Sequence, residues 1–102
     1  MIIVCCGKRY KQNYNWIGEQ MYLVDLGIAI DHMALAARNE GLGTCWIGAF
    51  REAPVKKLLN VPADWDVIEM LPVGYPATEA LFHPTTERMG LEQVVFRETF
   101  GE

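Results

Sequence analysis

Three cysteines and two histidines are the side chains of this sequence best suited by type to nucleophilic or metal chemistry. Because the sequence contains no serine, a nucleophile would have to come from a cysteine or a threonine beside a general base. Cys45 with His32 is one such pair, and it defines one hypothesis, a thiol enzyme. The alternative is that both residues are structural, because a cysteine in a strand and a histidine on a helix more often have a structural role.

These residues lack the spacing of a metal site or of a disulfide framework. Cys5 and Cys6 are adjacent and Cys45 is distant, so no CxxC pair is present. His32 and His83 are too few and too far apart to indicate a metal centre. We therefore predict that no metal is bound and that the cysteines are small buried residues in a reducing compartment, the cytoplasm.

A glycine-rich turn at residues 41–46 begins like the dinucleotide-binding sequence GxGxxG. Trp46 replaces the third glycine, and the turn follows a predicted helix and precedes a strand, which is the reverse of the Rossmann order. Asp25 and Asp31 are six residues apart and do not share a helix face well enough to act as a paired acid and base. No side chain is therefore predicted to be catalytic, and an enzyme built from this chain would depend on a cofactor.

The elements that would position these residues follow from the apolar pattern. Unbroken apolar runs are typical of buried strands, and a long proline-free stretch rich in Leu, Ile, Ala and Met is typical of a helix. Pro72 has no N–H to donate, so we expect it at a sheet edge or a bulge. The predicted order is a strand at 2–6, a loop at 8–15, a helix from Trp16 or Glu19 to Asn39, a strand at 44–47, a short helix from Pro54 to Pro62, a strand at 67–73, a loop at 77–90 and a strand at 91–96.

The long predicted helix is apolar around most of its circumference. Asp25, His32 and Asn39 recur at steps of seven and form one narrow polar stripe. The remaining surface must be buried in the core or against a second chain. Gly41 directly follows the helix, as expected of a residue that ends it.

Length and charge restrict the function classes further. A chain of 102 residues suits one domain, residues 1–102, with a thin core. Its formal charge of −4 argues against binding to nucleic acid or to an anionic membrane. The apolar N-terminus lacks the basic stretch and the length of a signal peptide, which again predicts a cytoplasmic protein.

Five segments resemble, in order, the C-terminal half of the FMN-dependent nitroreductases. They are residues 24–37, 41–50, 55–62, 71–76, and Arg88 with 91–95. The resemblance implies an α+β fold in which a mainly antiparallel sheet is flanked by helices. It also implies two subunits wrapped around each other, with FMN at their interface. The sequence is expected to hold about half of the family fold, without the N-terminal half.

The resemblance also assigns the flavin-binding residues. Arg88 matches a basic residue that binds the FMN phosphate, a role suited to a forked guanidinium, and Thr86 stands where some relatives have a second basic residue. The backbone N–H near Gly48 is the expected donor to the N5 region of the flavin. The strand end along one face of the flavin ring matches Trp46, Ile47, Gly48 and Ala49.

The function implied is an oxidoreductase. In such enzymes NAD(P)H passes a hydride to FMN, and the flavin passes it to a nitro, quinone or similar small acceptor. The alternative is a non-catalytic remnant or dimerisation module of the same fold without bound flavin, and the missing N-terminal half favours it.

Overall fold

Three strands and two helices form the part of the chain that the computed structural model describes, residues 1–10, 18–82 and 84–101. Short 3-10 turns lie at Gly18–Gln20, Glu79–Leu81 and Leu91–Gln93. Trp16 and most of the predicted 8–15 loop lie outside the described residues, as does His83. The elements are β1 (Ile2–Gly7), α1 (Met21–Asn39), β2 (Gly43–Thr44), α2 (Glu52–Leu59) and β3 (Asp66–Gly74).

The strands form one antiparallel sheet in the order β1-β3-β2. Cys5 pairs with Glu69, whereas Cys6 pairs with Val67, so Ile68 is the extra residue of a β-bulge. With helices packed against it, this sheet confirms the α+β class, as a partial fold. The last strand along the chain, β3, is central in the sheet, so β1 from the N-terminus and β2 from the middle of the chain both pair with it.

Helix α1 packs across one face of the sheet and shares the core with the strands. Ile30 from α1 and Leu71 from β3 are fully buried and meet Cys5 from β1. Leu26 and Met33 flank Ile30 on the same helix face and add partly buried apolar surface. No helix among the described residues has both the length and the apolar character needed to cross a bilayer.

Gly41 ends α1, as predicted. Its φ of +74° lies in the left-handed region that favours glycine. The Leu42 N–H donates to the Ala37 carbonyl at 2.9 Å, and the Gly41 N–H donates to the Arg38 carbonyl at 3.1 Å. These two bonds form the Schellman arrangement, which satisfies the last carbonyls of the helix and directs the chain into β2.

The prediction for Pro72 is wrong, because this proline lies in the central strand β3, away from the bulge. On the β1 side, Pro72 lies opposite Ile2. The hydrogen bonds on this side are made by the next pair, Met1 and Val73, each of which donates to the other, so Pro72 does not need an N–H there. On the β2 side, the register places Pro72 opposite Cys45. A proline fits this central strand because the ladder is interrupted at that point.

The strand predicted at residues 91–96 is also wrong. Residues Leu91–Gln93 form a 3-10 turn, and Val94 and Val95 are 54% exposed without a strand partner among the described residues. A strand needs a neighbouring edge that can accept its hydrogen bonds, and β-branched residues alone do not supply one. The predicted 77–90 loop is mostly irregular, apart from the turn at Glu79–Leu81.

The chain leaves much apolar surface uncovered. Val24, Ile28 and Leu35 form a stripe on α1 opposite the face that contacts the sheet, and they are 40%, 54% and 61% exposed. The radius of gyration is 17.4 Å, compared with about 13 Å for a compact domain of 100 residues. The prediction that α1 is apolar on two sides therefore holds, but the described chain covers only one of them.

A polar cluster ties the start of α1 to the start of β3. The Tyr22 hydroxyl donates to Asp66 Oδ2 at 2.8 Å, and Arg9 Nε lies 3.5 Å from the same oxygen. Burial of the ring raises the pKa of Tyr22, and the bond to Asp66 raises it further. The cluster holds the end of β1 and the beginning of β3 against the helix.

Replacement of Leu71 by alanine should lower the free energy of unfolding by about 2–5 kcal/mol, because it leaves a cavity beside Ile30. The matched control is Leu58→Ala, since the Leu58 side chain is 80% exposed and its loss should cost less than about 0.5 kcal/mol. Urea unfolding followed by circular dichroism measures both. Equal losses for the two variants would contradict the core described here.

Replacement of Tyr22 by phenylalanine should remove about 1 kcal/mol of stability at neutral pH. The raised pKa of Tyr22 means that the unfolded chain loses this proton first as the pH rises above about 10. The free energy of unfolding of the wild type should therefore fall as the pH rises from the unfolded-state pKa of Tyr22 to its folded-state pKa. The Tyr22→Phe variant should not show this part of the loss. The control is Tyr75→Phe, at a site 86% exposed. Identical alkaline profiles for wild type and Tyr22→Phe would contradict this assignment.

Candidate functional site

The segment after α1 is a broken edge strand beside β3. Thr44 pairs with Val73, and Ile47 exchanges hydrogen bonds of 2.9 and 3.1 Å with Met70. Between them the ladder is interrupted, because the proline opposite Cys45 has no N–H to donate. The continuous strand predicted at 44–47 is therefore reduced to Gly43–Thr44 and an isolated bridge at Ile47.

The Gly48 amide is an available hydrogen-bond donor at the end of this edge segment. Ile47 turns both its N–H and its carbonyl toward Met70, so the alternation of an extended backbone directs the next N–H away from β3. Within the part of the chain that the structure describes, the Gly48 N–H has no acceptor, whereas its carbonyl accepts from the Phe50 N–H at 3.1 Å. An exposed backbone N–H in this position suits the electron-rich edge of a planar ring.

Glu69 occupies the space that the missing side chain of Gly48 leaves open. A Cβ placed on Gly48 would lie 3.3 Å from Glu69 Oε2 and 3.5 Å from Oε1. A side chain at position 48 therefore requires the end of the Glu69 side chain to shift by a few tenths of an ångström. Glu69 is half-buried and has no ion-pair partner among the described residues.

Sequence reasoning missed Glu69. The signal was present, because it is the one charged residue between Val67 and Val73 in a strand predicted as buried. Charged residues are rarely buried without a partner. The strand pattern alone does not reveal that the carboxylate faces a glycine on the neighbouring strand, since that depends on the register between two segments about 20 residues apart.

The remaining predicted flavin residues are exposed. Trp46 is 46% exposed, and Ala49 and Arg88 are also exposed. Arg88 makes no ion pair or hydrogen bond with any residue in the described ranges. Trp46, Ile47, Gly48 and Ala49 follow one another along the edge segment, but none of the three cavities described, of about 740, 470 and 420 Å³, is lined by any of them or by Arg88.

The residues present fit a flavin in part. The unpaired Gly48 N–H and the exposed Trp46 together provide an edge that a planar ring could approach. Arg88 has an uncommitted guanidinium suited to a phosphate. The described chain presents these groups on open surface and does not enclose them.

The thiol hypothesis gains no support from the geometry. Cys5 is buried, as predicted, and Cys6 is only half-buried. Cys45 is exposed, so the prediction that it is buried is wrong. The Cys45 thiol contacts the Trp46 carbonyl at 3.7 Å. No described histidine contacts this thiol, because His32 lies exposed on α1 and is bonded to none of the described residues.

The pKa values of the Cys5 and Cys6 thiols are both raised. Burial raises the pKa of Cys5, and the negative charges of Cys6 and Glu69 raise it further. Burial likewise raises the pKa of Cys6. Among the described residues, no group of three or more His, Cys, Asp or Glu side chains is arranged to hold a metal ion.

Comparison with protein families matches residues 3–75 to the nitroreductase family model. Two curated relatives carry the provisional name NADH dehydrogenase/NAD(P)H nitroreductase. The protein from Methanothermobacter thermautotrophicus is 31% identical over 100 residues, covering 90% of this chain and 49% of its own length. The protein from Archaeoglobus fulgidus is 29% identical over 98 residues, covering 91% and 53%. The chain thus spans about half the length of these relatives.

Solved structures show the same similarity in three dimensions. A nitroreductase family protein from Clostridium difficile superposes with a TM-score of 0.79 at 24% identity, covering 96% of this chain and 59% of that protein. An NADPH:FMN oxidoreductase from Vibrio harveyi, solved with NAD+, superposes with a TM-score of 0.70 at 28% identity, covering 81% and 36%. These matches confirm the resemblance inferred from the sequence.

Alkylation distinguishes the cysteines. Iodoacetamide at pH 8 should modify Cys45 at least about tenfold faster than Cys5, because reaction requires an accessible thiolate. Peptide mapping by mass spectrometry measures both rates, and labelling in urea provides the unfolded control, in which the difference should vanish. Rapid labelling of Cys5 in the folded protein would contradict its burial in the core.

Proposed function

This chain belongs to the nitroreductase family, and from that premise we propose that it acts as an FMN-dependent oxidoreductase. The donor is NAD(P)H, and the acceptor is a nitro compound, a quinone or a similar small molecule. The names of the curated relatives and of the Vibrio harveyi enzyme support this class of activity. The observation that carries the proposal is the unpaired, outward-facing N–H of Gly48.

In this proposal the edge segment binds the flavin ring. The residues that would lie along one face of the ring are Trp46, Ile47, Gly48 and Ala49, and the Gly48 N–H would donate to its N5 region. Bound FMN supplies the hydride chemistry. The Gly48 N–H is directed away from β3 and is available to the ring, and the Ile47–Met70 bonds hold the segment against β3.

Arg88 binds the FMN phosphate in this proposal. Its guanidinium is exposed and is not engaged by another described residue. An uncommitted guanidinium binds a phosphate with two parallel, charge-assisted hydrogen bonds. Thr86, two positions earlier, adds at most a neutral hydroxyl, so Arg88 carries the electrostatic part of the interaction.

The proposed active form is a homodimer in the cytoplasm. The exposed stripe of Val24, Ile28 and Leu35 on α1 favours a second copy, because uncovered apolar surface of this kind is typical of subunit interfaces. Three free cysteines are consistent with a reducing compartment.

The alternative is a non-catalytic remnant or dimerisation module that binds no flavin. It is favoured by the open setting of the candidate flavin residues, none of which lines a described cavity.

A visible absorption spectrum distinguishes the two functions. The purified protein is measured as isolated, and again after addition of excess FMN and desalting. The oxidoreductase proposal predicts a retained flavin band that NADH or NADPH bleaches under anaerobic conditions. If no flavin is retained, the oxidoreductase proposal is wrong for this chain, and the remnant is the better description.

Arg88→Ala should weaken FMN binding by about 10- to 150-fold, which corresponds to the loss of one charge-assisted interaction of roughly 1.5–3 kcal/mol. Riboflavin, which lacks the phosphate, should bind both proteins equally. Lys57→Ala removes one positive charge from the exposed surface of α2 and should change FMN affinity less than about twofold. Unchanged FMN affinity in Arg88→Ala would remove this residue from the proposed site.

A further inference from the structure

Glu69 is a charged residue in the middle of the central strand. Its two cross-strand neighbours are small, with Cys5 paired to it on β1 and Gly48 facing it from the edge segment. Glu69 is half-buried, and its carboxylate lies against Gly48. It has no cationic partner among the described residues. A negative charge held in this way is neither neutralised by an ion pair nor fully screened by water.

The carboxylate is close to the Gly48 amide. Oε2 lies 3.3 Å from the position of a Cβ on Gly48, and standard backbone geometry then puts it within roughly 6 Å of the Gly48 nitrogen. A group that accepts a hydrogen bond from this N–H would therefore lie within the field of Glu69. The charge of Glu69 also contributes to the raised pKa of Cys5 on the neighbouring strand β1, which is consistent with an electrostatic effect on adjacent strands.

We propose that Glu69 tunes the redox balance of the bound flavin by disfavouring its reduced form. The inference rests on the proposed function and adds a determinant of redox preference to the same site. Transfer of a hydride to FMN adds two electrons and one proton to the ring, which then carries one negative charge. Glu69 repels that charge but not the neutral oxidised ring, so it weakens binding of reduced FMN and facilitates transfer of the hydride to the acceptor.

Glu69 acts in this proposal as a tuning residue that does not exchange a proton or an electron with the substrate. Its effect is a ratio, the affinity for reduced FMN divided by the affinity for oxidised FMN. A hydrogen-bond acceptor about 3 Å beyond the Gly48 nitrogen would lie at most about 9 Å from Glu69 Oε2. Two like charges at about this distance near a protein surface interact strongly enough to change this ratio by about tenfold. A purely structural role for Glu69 would change both affinities together and leave the ratio constant.

The test measures the dissociation constants of oxidised FMN and of dithionite-reduced FMN under anaerobic conditions by calorimetry. The proteins are wild type, Glu69→Gln, Glu69→Asp and a control, Glu19→Gln, which removes an exposed carboxylate from the turn before α1. We expect the ratio to rise about tenfold in Glu69→Gln, to remain within about twofold of wild type in Glu19→Gln, and to be largely retained in Glu69→Asp, which keeps the charge.

The outcomes separate this inference from the proposed function. If Glu69→Gln binds FMN with an unchanged ratio, Glu69 does not tune the flavin, and the proposed function is unaffected. If Glu69→Gln does not fold, Glu69→Asp decides, because a ratio that rises as much as tenfold while the charge is kept would overturn the proposal. If wild type binds neither form, the proposed function is wrong and the inference fails with it.

Discussion

The contact between Ile30 on α1 and Leu71 on β3 is the constraint on which the rest of the described structure depends. These two side chains are fully buried, and Cys5 on β1 completes the cluster around them. Because β3 is central in the sheet, this contact fixes the helix against both outer strands at once. A core this small makes each buried side chain a large part of the total stability.

The central position of β3 also determines the character of the candidate site. Pro72 leaves a gap in the ladder opposite Cys45, and the mutual bonds between Ile47 and Met70 restore the pairing immediately afterwards. The backbone beyond that bridge therefore presents an unpaired Gly48 N–H at the sheet edge. The same register brings Glu69 against Gly48, so one pairing places both the donor and the carboxylate.

The uncovered surfaces follow from an unequal distribution of apolar residues. Helix α1 has apolar stripes on opposite sides, and the sheet covers only the one that contains Ile30. The C-terminal residues are apolar as well, but Val94 and Val95 find no edge to pair with in the described chain. Both features leave apolar surface exposed, which is typical of surfaces that bind another polypeptide.

Local sequence determined the elements and the family, and tertiary structure decided their partners. The end of α1 at Gly41 and the limits of β1 and β3 could be predicted, because helical periodicity, apolar runs and the conformational preference of glycine act over a few residues. The sequence could not reveal that Cys45 is exposed, that the apolar residues from Leu91 onward form no strand, or that Glu69 meets Gly48. Each of these depends on which distant segment supplies the neighbouring hydrogen bonds or side chains, and that is set only when the register of the sheet is formed.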